Sequence, residues 1–93
     1  MAFVIRFNED KNQLLKATRY VGFDDILEAI SLGGLLADIS HHNKGYSNQR
    51  VYVVRLGCYA YAVPYVINFQ KNEIFLKTVY PSRMLTKKYI RGE

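Results

Sequence analysis

The sequence is poor in cysteine and in long apolar runs, and each shortage excludes a class of protein. Its 93 residues contain one cysteine, Cys58, which can form no internal disulfide. No uncharged apolar run approaches the roughly 18 residues of a membrane-spanning helix, and residues 1–7 lack the basic-then-apolar order of a signal peptide. We therefore expect a cytoplasmic protein with no membrane partner. Cys58 lies in an apolar run, so we expect a buried, unreactive thiol.

Motifs of nucleotide and hydrolase sites are also missing. The chain has no P-loop, no GxGxxG fingerprint and no GxSxG elbow. No cysteine or acidic cluster is spaced as in a metal site, so the sequence implies neither a metal nor a cofactor. Hydrophobic residues make up 49% and charged residues 23%, which is the balance of an ordinary globular protein. The length predicts a single domain over residues 1–93.

Acidic residues are scarce in the second part of the chain. Residues 39–93 carry nine basic and two acidic side chains, a net +7, whereas residues 1–38 carry four basic and six acidic ones, a net −2. The resulting positive field attracts phosphate backbones, anionic membranes or an acidic protein partner. The alternative is a solvated basic surface without a ligand.

Apolar spacing near the start predicts one strand and two helices. Alternating apolar residues favour a strand over residues 3–7. Asn8 then caps a helix over residues 9–18, with Leu14 and Leu15 facing inward. A second helix follows, because apolar residues recur with helical spacing. Its predicted inward face consists of Phe23, Ile26, Leu27 and Ile30.

A period of two then predicts an antiparallel sheet, with strands at 35–39, 51–56, 59–67 and 73–80. Along residues 59–67 large side chains alternate with small ones, which indicates a helix on the small side or a stack of rings on the other. Pro64 has no amide proton, so that strand is expected at an edge or a bulge. Ser82 caps a last helix over residues 83–91. The predicted class is α+β, with two N-terminal helices and a C-terminal helix on one face of a small antiparallel sheet.

The junction between the last strand and the last helix concentrates basic and phenolic side chains. Lys77 lies on the strand, Tyr80 at its end and Arg83 at the first helical position. Tyr80 and Arg83 can therefore converge beside a helix N-terminus, which favours an anion. RNA cleavage through the 2′-hydroxyl needs a base, an acid and a cation for the charged transition state. Tyr80 can transfer the proton, and Lys77 and Arg83 can neutralise the charge.

A basic stripe is predicted on the last helix, because Arg83, Lys87 and Arg91 recur every four residues. The cationic residues predicted to bind RNA are Arg50, Arg55, Lys87, Lys88 and Arg91. Tyrosines that interleave with the strand arginines form either a base-stacking platform or core and partner contacts. These tyrosines are Tyr46, Tyr52, Tyr59, Tyr61 and Tyr65.

His41 and His42 are the remaining acid–base candidates, because imidazole titrates near neutral pH. Adjacent histidines on an extended chain point in different directions, so they make a poor chelating pair. We expect them either to be exposed loop residues or to support the RNA site, together with Tyr89.

Short motifs along nearly the whole chain are similar, in order and spacing, to those of one toxin family. The segment FNEDKN at 7–12 resembles the W/F-D-x-x-K-N opening of BrnT-type toxins, and GFDD at 22–25 resembles their G-(I/V)-S-F-E-(D/E)-A segment. The strand NQRVYVVR at 48–55 resembles their G-E-x-R strand. The tail at 75–89 resembles their I-I-S-A-R-x-A-(T/N)-x-x-E-x-x-x-Y tail. The chain thus resembles the BrnT toxins of type II toxin–antitoxin systems.

The resemblance implies a RelE/ParE-like fold, cytoplasmic RNA cleavage and a cognate antitoxin. By position, Arg83 matches the tail arginine, Lys88 falls near the tail's acidic position and Tyr89 matches the tail tyrosine. We expect a metal-independent endoribonuclease toxin that acts on free or ribosome-associated RNA, with Lys77, Tyr80 and Arg83 as catalytic residues. One alternative is a non-catalytic basic module that binds nucleic acid or an acidic protein. Another is a structural partner that folds in a complex through its tyrosine-rich strand.

Overall fold

A computed structural model describes residues 3–40 and 49–92 of the chain. Its helices are α1 (Glu9–Arg19), α2 (Phe23–Ser31) and α3 (Arg83–Thr86), and α3 continues as a five-residue π-helix (Lys87–Arg91). Its strands are β1 (Val4–Arg6), β2 (Leu35–Ser40), β3 (Gln49–Leu56), β4 (Tyr59–Asn68), β5 (Glu73–Leu76) and β6 (Tyr80–Pro81). The strand predicted over 73–80 is therefore interrupted after Leu76, and the end of the predicted last helix is π-helical.

Capping side chains start two of the helices as predicted. Asn8 Oδ1 accepts the Lys11 N–H at 2.9 Å, and Ser82 Oγ accepts the Leu85 N–H at 3.1 Å. On α1 Leu15 is buried, but Leu14 is 56% exposed, so the prediction that both face inward is wrong. Neighbouring helical residues point about 100° apart, and the α1 face that meets the sheet is too narrow to bury both.

The sheet has six strands and is mixed. Its path is β1-β5-β4-β3-β2, and β6 also pairs with β4. β1 runs parallel to β5, whereas the other pairs are antiparallel, so the prediction of a purely antiparallel sheet is wrong. β1 is separated from β5 by most of the chain. No turn between them sets their relative direction, and local spacing cannot reveal the pairing.

Pro64 lies in a central strand, so the edge alternative is wrong, whereas the alternative of a bulge agrees with a one-residue register shift beside it, between the pairs Tyr65–Leu76 and Ala62–Tyr80. β4 pairs with β3 on one side and with β5 and β6 on the other. Pro64 lies opposite the gap between β5 and β6, where its carbonyl accepts the Lys77 N–H at 2.8 Å. The position where proline lacks an N–H therefore faces a break in the hydrogen-bond ladder between β4 and its neighbours. A central strand can tolerate Pro64 there.

The first face of the sheet carries α1 and α2. Val63 and Tyr65 of β4 pack there against Leu15 of α1 and against Phe23 and Ile26 of α2. Phe23 and Ile26 are fully buried, and Leu27 and Ile30 pack beside them, which confirms the inward face predicted for α2. Burial of each large apolar side chain stabilises the fold by about 1.5–3 kcal/mol.

The second face of the sheet carries α3. The small Ala60 and Ala62 of β4 leave room for Leu85 of α3, and all three are buried beside Val53. A helix thus packs on the small side of β4, as predicted. The class is α+β, but the prediction that all three helices share one face is wrong. Successive side chains of a strand point to opposite faces, and both faces of β4 are apolar.

Cys58 is exposed, so the prediction of a buried thiol is wrong. It lies in the two-residue turn between β3 and β4, after Gly57, whose φ of 64° suits glycine. A residue at the tip of such a turn projects beyond the sheet even when its sequence neighbours are apolar.

Candidate nucleic-acid interface

A cavity of about 420 Å³ lies between the start of β4 and the exposed side of α3. Five residues line it: Tyr59, Arg83, Thr86, Lys87 and Arg91. Three of the five are cationic, and they come from consecutive turns of one helix. The spacing that predicts a basic stripe therefore does place Arg83, Lys87 and Arg91 on one surface, although the helix becomes π-helical at Lys87. π-Helical turns are frequent at functional sites.

The positive charge of this cavity is not neutralised within the described part of the chain. Ion pairs there join Arg6 to Glu73, Lys16 to Asp24 and Arg50 to Asp38, and none involves a cation of the cavity. Nor does any carboxylate lie among the five lining residues. The side chains of Arg83, Lys87 and Arg91 are exposed, so their combined field is available to an anion.

Thr86 fixes the cavity walls relative to each other. Its hydroxyl accepts the Ala60 N–H at 2.9 Å and donates to the Ser82 carbonyl at 2.7 Å. The Ala60 carbonyl in turn accepts the Ser82 N–H at 3.0 Å. Both backbone groups of Ala60 are therefore engaged by α3 and its cap. These bonds hold the backbone at the start of β4 beside the cationic stripe.

The three predicted catalytic residues do not all reach the cavity. Arg83 lines it, whereas Lys77 and Tyr80 lie outside its lining. Tyr80 is paired with Ala62, and paired residues of two strands point to the same face. Tyr80 therefore lies on the second face with α3, and 42% of its surface is exposed. Lys77 lies in the interruption between β5 and β6, and its side chain is exposed.

Lys88 and Tyr89 also lie beside the cavity and not in it. Lys88 Nζ is 5.4 Å from the centroid of the Tyr89 ring, within the range of a cation–π contact. Tyr89 packs against the core of the second face. Tyr89 therefore has a packing role, and the Lys88 charge is directed toward that ring.

Arg50 belongs to a separate cluster on the first face. Its Nε donates to Asp38 Oδ1 at 3.0 Å, and one of its terminal nitrogens donates to the Asp38 carbonyl at 2.9 Å. The Tyr65 hydroxyl donates to the same Oδ1 at 2.6 Å, and the Tyr65 ring stacks on Tyr52 at 4.0 Å between centroids. Burial and the bond to Asp38 raise the pKa of Tyr65, and burial raises the pKa of Tyr52. Arg50 is thus ion-paired with Asp38 and lies on the opposite face of the sheet from the cavity.

Arg55 is likewise separated from the cationic cavity. Its Nε donates to the Gly57 carbonyl at 2.9 Å, and it lines a different cavity of about 520 Å³ together with Asp25 and Glu28. The structure therefore does not unite the cationic residues that the sequence grouped. Lys87 and Arg91 share one site with Arg83, while Arg50 is paired with Asp38 and Arg55 lines the other cavity.

The tyrosines that the sequence groups as one base-stacking platform do not form a single surface either. The Tyr59 ring contacts Tyr61 edge to face, with 6.2 Å between ring centroids. Tyr61 packs against the core of the first face, so the Tyr59 ring lies on that face, although the residue borders the cationic cavity at the start of β4. Tyr52 and Tyr65 are core residues. His41, His42 and Tyr46 lie outside the described residues.

Sequence reasoning missed Thr86 and the Asp38 cluster. The Gly57-Cys58 turn pairs Leu56 with Tyr59, and counting back along both strands places Arg50 opposite Tyr65. The pairing of Arg50 with Tyr65 could therefore be predicted from the sequence. The position of Asp38 was not, because β2 joins β3 through a register shift between Leu35 and Ala37.

Comparison with protein-family models finds no match, and comparisons with curated proteins and with solved structures find no significant match. Among residues 3–40 and 49–92, no three histidine, cysteine or acidic side chains are grouped as metal ligands would be. No helix in those residues is long and apolar enough to cross a membrane.

Proposed function

We propose that this protein binds RNA in the cavity beside α3 and cleaves it, as the endoribonuclease toxin of a type II toxin–antitoxin system. The observation that carries the proposal is the grouping of Arg83, Lys87 and Arg91, without a described carboxylate, around one open cavity. Phosphate contacts from such cations supply most of the non-specific affinity of a protein for nucleic acid. The resemblance to BrnT-type toxins supports the step from binding to cleavage.

The chemistry we propose is attack of a ribose 2′-hydroxyl on the adjacent phosphorus, which forms a 2′,3′-cyclic phosphate and breaks the bond to the 5′-oxygen of the next nucleotide. The proton of the 2′-hydroxyl is transferred to that oxygen, which leaves as a 5′-hydroxyl. Arg83 neutralises the charge that develops on the phosphoryl oxygens, because it is the predicted catalytic residue that lines the cavity. Tyr80 shares the α3 face of the sheet, and we assign it the proton transfer. Lys77 is the second cation. An acidic antitoxin segment that covers the α3 cations would block the site.

The test combines growth with cleavage in vitro. Wild type, Arg83→Ala and Tyr80→Phe are induced in bacteria and purified for incubation with end-labelled single-stranded RNA in the presence of a metal chelator. Lys71→Ala removes an exposed cation in the β4–β5 turn and is the matched control. We expect growth arrest and cleavage from wild type and Lys71→Ala, with loss of at least about 100-fold in rate from the two site variants. RNA with a 2′-deoxyribose at the cleaved position should resist cleavage.

A second candidate is a non-catalytic module that binds RNA through the same surface. It is favoured by one observation, the lack of a carboxylate or imidazole among the described residues that line the cavity. RNA binding that Arg83→Ala abolishes, with neither cleavage nor growth arrest from wild type, would select this candidate and reject the nuclease.

A further inference from the structure

The second face of the sheet has an open apolar part beside α3. Phe75 pairs with Val66 and Tyr80 with Ala62, and paired residues point to the same face. Val66 shares the face of Ala62, since alternate residues of a strand point to one side, and α3 packs on Ala62. Phe75 is 43% and Tyr80 42% exposed. Neither ring, nor Val66, belongs to a core cluster of residues 3–40 and 49–92.

Met84 forms the border of this open part on α3. The Thr86 hydroxyl bonds to the Ala60 N–H at the start of β4, and helical residues two positions apart point about 200° apart. Met84 therefore lies on the opposite side of α3, the side toward which β4 continues to Val66, and its side chain is exposed. The resulting apolar strip consists of Val66, Phe75, Tyr80 and Met84. None of these four residues lines the cationic cavity.

The apolar strip is bordered by positive charge. Lys77 lies in the interruption between β5 and β6, and Lys88 lies one helical turn after Met84, on the same side of the last helix. Both lysine side chains are exposed, and no ion pair of the described residues includes them. The elements around the strip, β4 to β6 and the last helix, contain a single carboxylate, Glu73, and Arg6 neutralises it at 2.7 Å.

We propose that the apolar strip binds an amphipathic helix of an acidic protein partner, with apolar side chains on the two rings and carboxylates beside Lys77 and Lys88. β4 and β5 each pair with strands on both sides, so the partner cannot add a strand there and must bind through side chains. An amphipathic helix offers one apolar stripe flanked by charges. The strip is separate from the cationic cavity, so this proposal does not rest on RNA binding.

Charge selects this occupant over a second copy of the chain. Two copies that met through their strips would bring two positive borders together, and like charges across an interface oppose association. A partner with carboxylates beside its apolar stripe neutralises the lysines of the border instead. The sign of the partner's charge is therefore part of the proposal and can be tested directly.

The test measures binding of three fluorescein-labelled synthetic peptides of about 18 residues, long enough to form a helix, by fluorescence anisotropy. The first carries leucines at helical spacing flanked by glutamates. The second has lysines in place of the glutamates, and the third has the composition of the first in scrambled order. Phe75→Ser removes a ring of the strip. Leu32→Ser removes an exposed apolar side chain at the end of α2 and is the matched control. Circular dichroism confirms folding of each variant.

We expect wild type and Leu32→Ser to bind the first peptide at least about tenfold more tightly than the other two. Phe75→Ser should weaken that binding about tenfold, as loss of a central ring of an interface does. Binding of the first peptide that is absent, or equal to that of the scrambled or the lysine peptide, would overturn the proposal. Equal binding by wild type and Phe75→Ser would overturn the assignment to the strip.

Two further measurements test the other occupants. Sedimentation velocity of the protein alone should show a monomer, and a dimer that Phe75→Ser dissociates would assign the strip to a second copy. Single-stranded 2′-O-methyl RNA, which the proposed reaction cannot cleave, should bind wild type and Phe75→Ser equally. A loss of RNA binding in Phe75→Ser without a loss of peptide binding would assign the strip to RNA and overturn the acidic partner.

Discussion

The Thr86 hydroxyl accepts the backbone N–H of Ala60 at 2.9 Å and so joins α3 to the central strand of the sheet. Both residues are buried, at 2% and 0% exposure. A buried N–H that loses its acceptor keeps the full cost of its desolvation, about 1–3 kcal/mol. The position of the cationic stripe therefore depends on a hydroxyl that carries no charge itself.

We expect Thr86→Val to lower the free energy of unfolding by about 1–3 kcal/mol, since valine has nearly the same shape but no oxygen. Urea denaturation followed by circular dichroism measures the change. Thr18→Val removes an exposed hydroxyl that bonds to the Leu14 carbonyl and should change the stability by less than about 0.5 kcal/mol. Equal stability of the two variants would show that the Ala60 N–H does not depend on Thr86.

The salt dependence of RNA binding tests whether Lys87 contacts phosphate. Each phosphate contact to a single strand contributes about 0.7 to the slope of log affinity against log salt concentration. Lys87→Gln should therefore make this slope shallower by about 0.7. Lys71→Gln, at an exposed position of the β4–β5 turn, should leave it unchanged. The same slope for both variants would remove Lys87 from the interface.

Tyr65→Phe tests the cluster around Asp38. Loss of the 2.6 Å hydrogen bond to Asp38 should lower the free energy of unfolding by about 1 kcal/mol at pH 7. Urea denaturation at neutral pH measures it, with the exposed Tyr20→Phe (87% exposed) as control. A stability equal to that of wild type would indicate that solvent replaces the bond.

The same substitution has a pH signature. Burial and the bond to Asp38 raise the pKa of Tyr65 above its ordinary value of 10.0. The contribution of protonated Tyr65 to the stability of the folded state is therefore fully present below about pH 10. It is lost as the pH rises further, because the unfolded chain releases the Tyr65 proton at a lower pH than the folded chain does. Tyr65→Phe should lose stability less steeply than wild type above pH 10, whereas Tyr20→Phe should follow wild type. Parallel curves for all three proteins would contradict the assignment.

Asn12 links α1 to the start of α2. It is 2% exposed, and its Oδ1 accepts the N–H of Phe23, the first residue of α2, at 2.7 Å. A Cβ on Gly22 would lie 2.3 Å from that oxygen, so the glycine makes room for the bond. Asn12→Ala should cost about 1–3 kcal/mol of unfolding free energy. Gln13→Ala, whose amide bonds to Glu9 at the surface, should cost less than about 0.5 kcal/mol, and a similar loss from both would show that Asn12 has no special role.

Local signals predicted a large part of the fold because they depend on neighbouring residues alone. Asn8 and Ser82 cap helices wherever the chain places them, and the small side of β4 at Ala60 and Ala62 receives a helix because nothing larger blocks it. The direction of β1, the side of the sheet that α3 occupies and the central position of Pro64 depend on elements distant in the chain. No local pattern encodes them.

Net charge and helical spacing by themselves determined that the second part of the chain is basic and that Arg83, Lys87 and Arg91 lie along one side of the last helix. Only the tertiary structure decided that these cations face the start of β4, since that position depends on Thr86 bonding to Ala60. It also decided that Arg50 does not join them, since β2 brings Asp38 to Arg50 on the opposite face. The spacing of residues predicts which side chains share one side of a helix or strand. Which helices and strands pack together depends on the burial of the two apolar faces of the sheet.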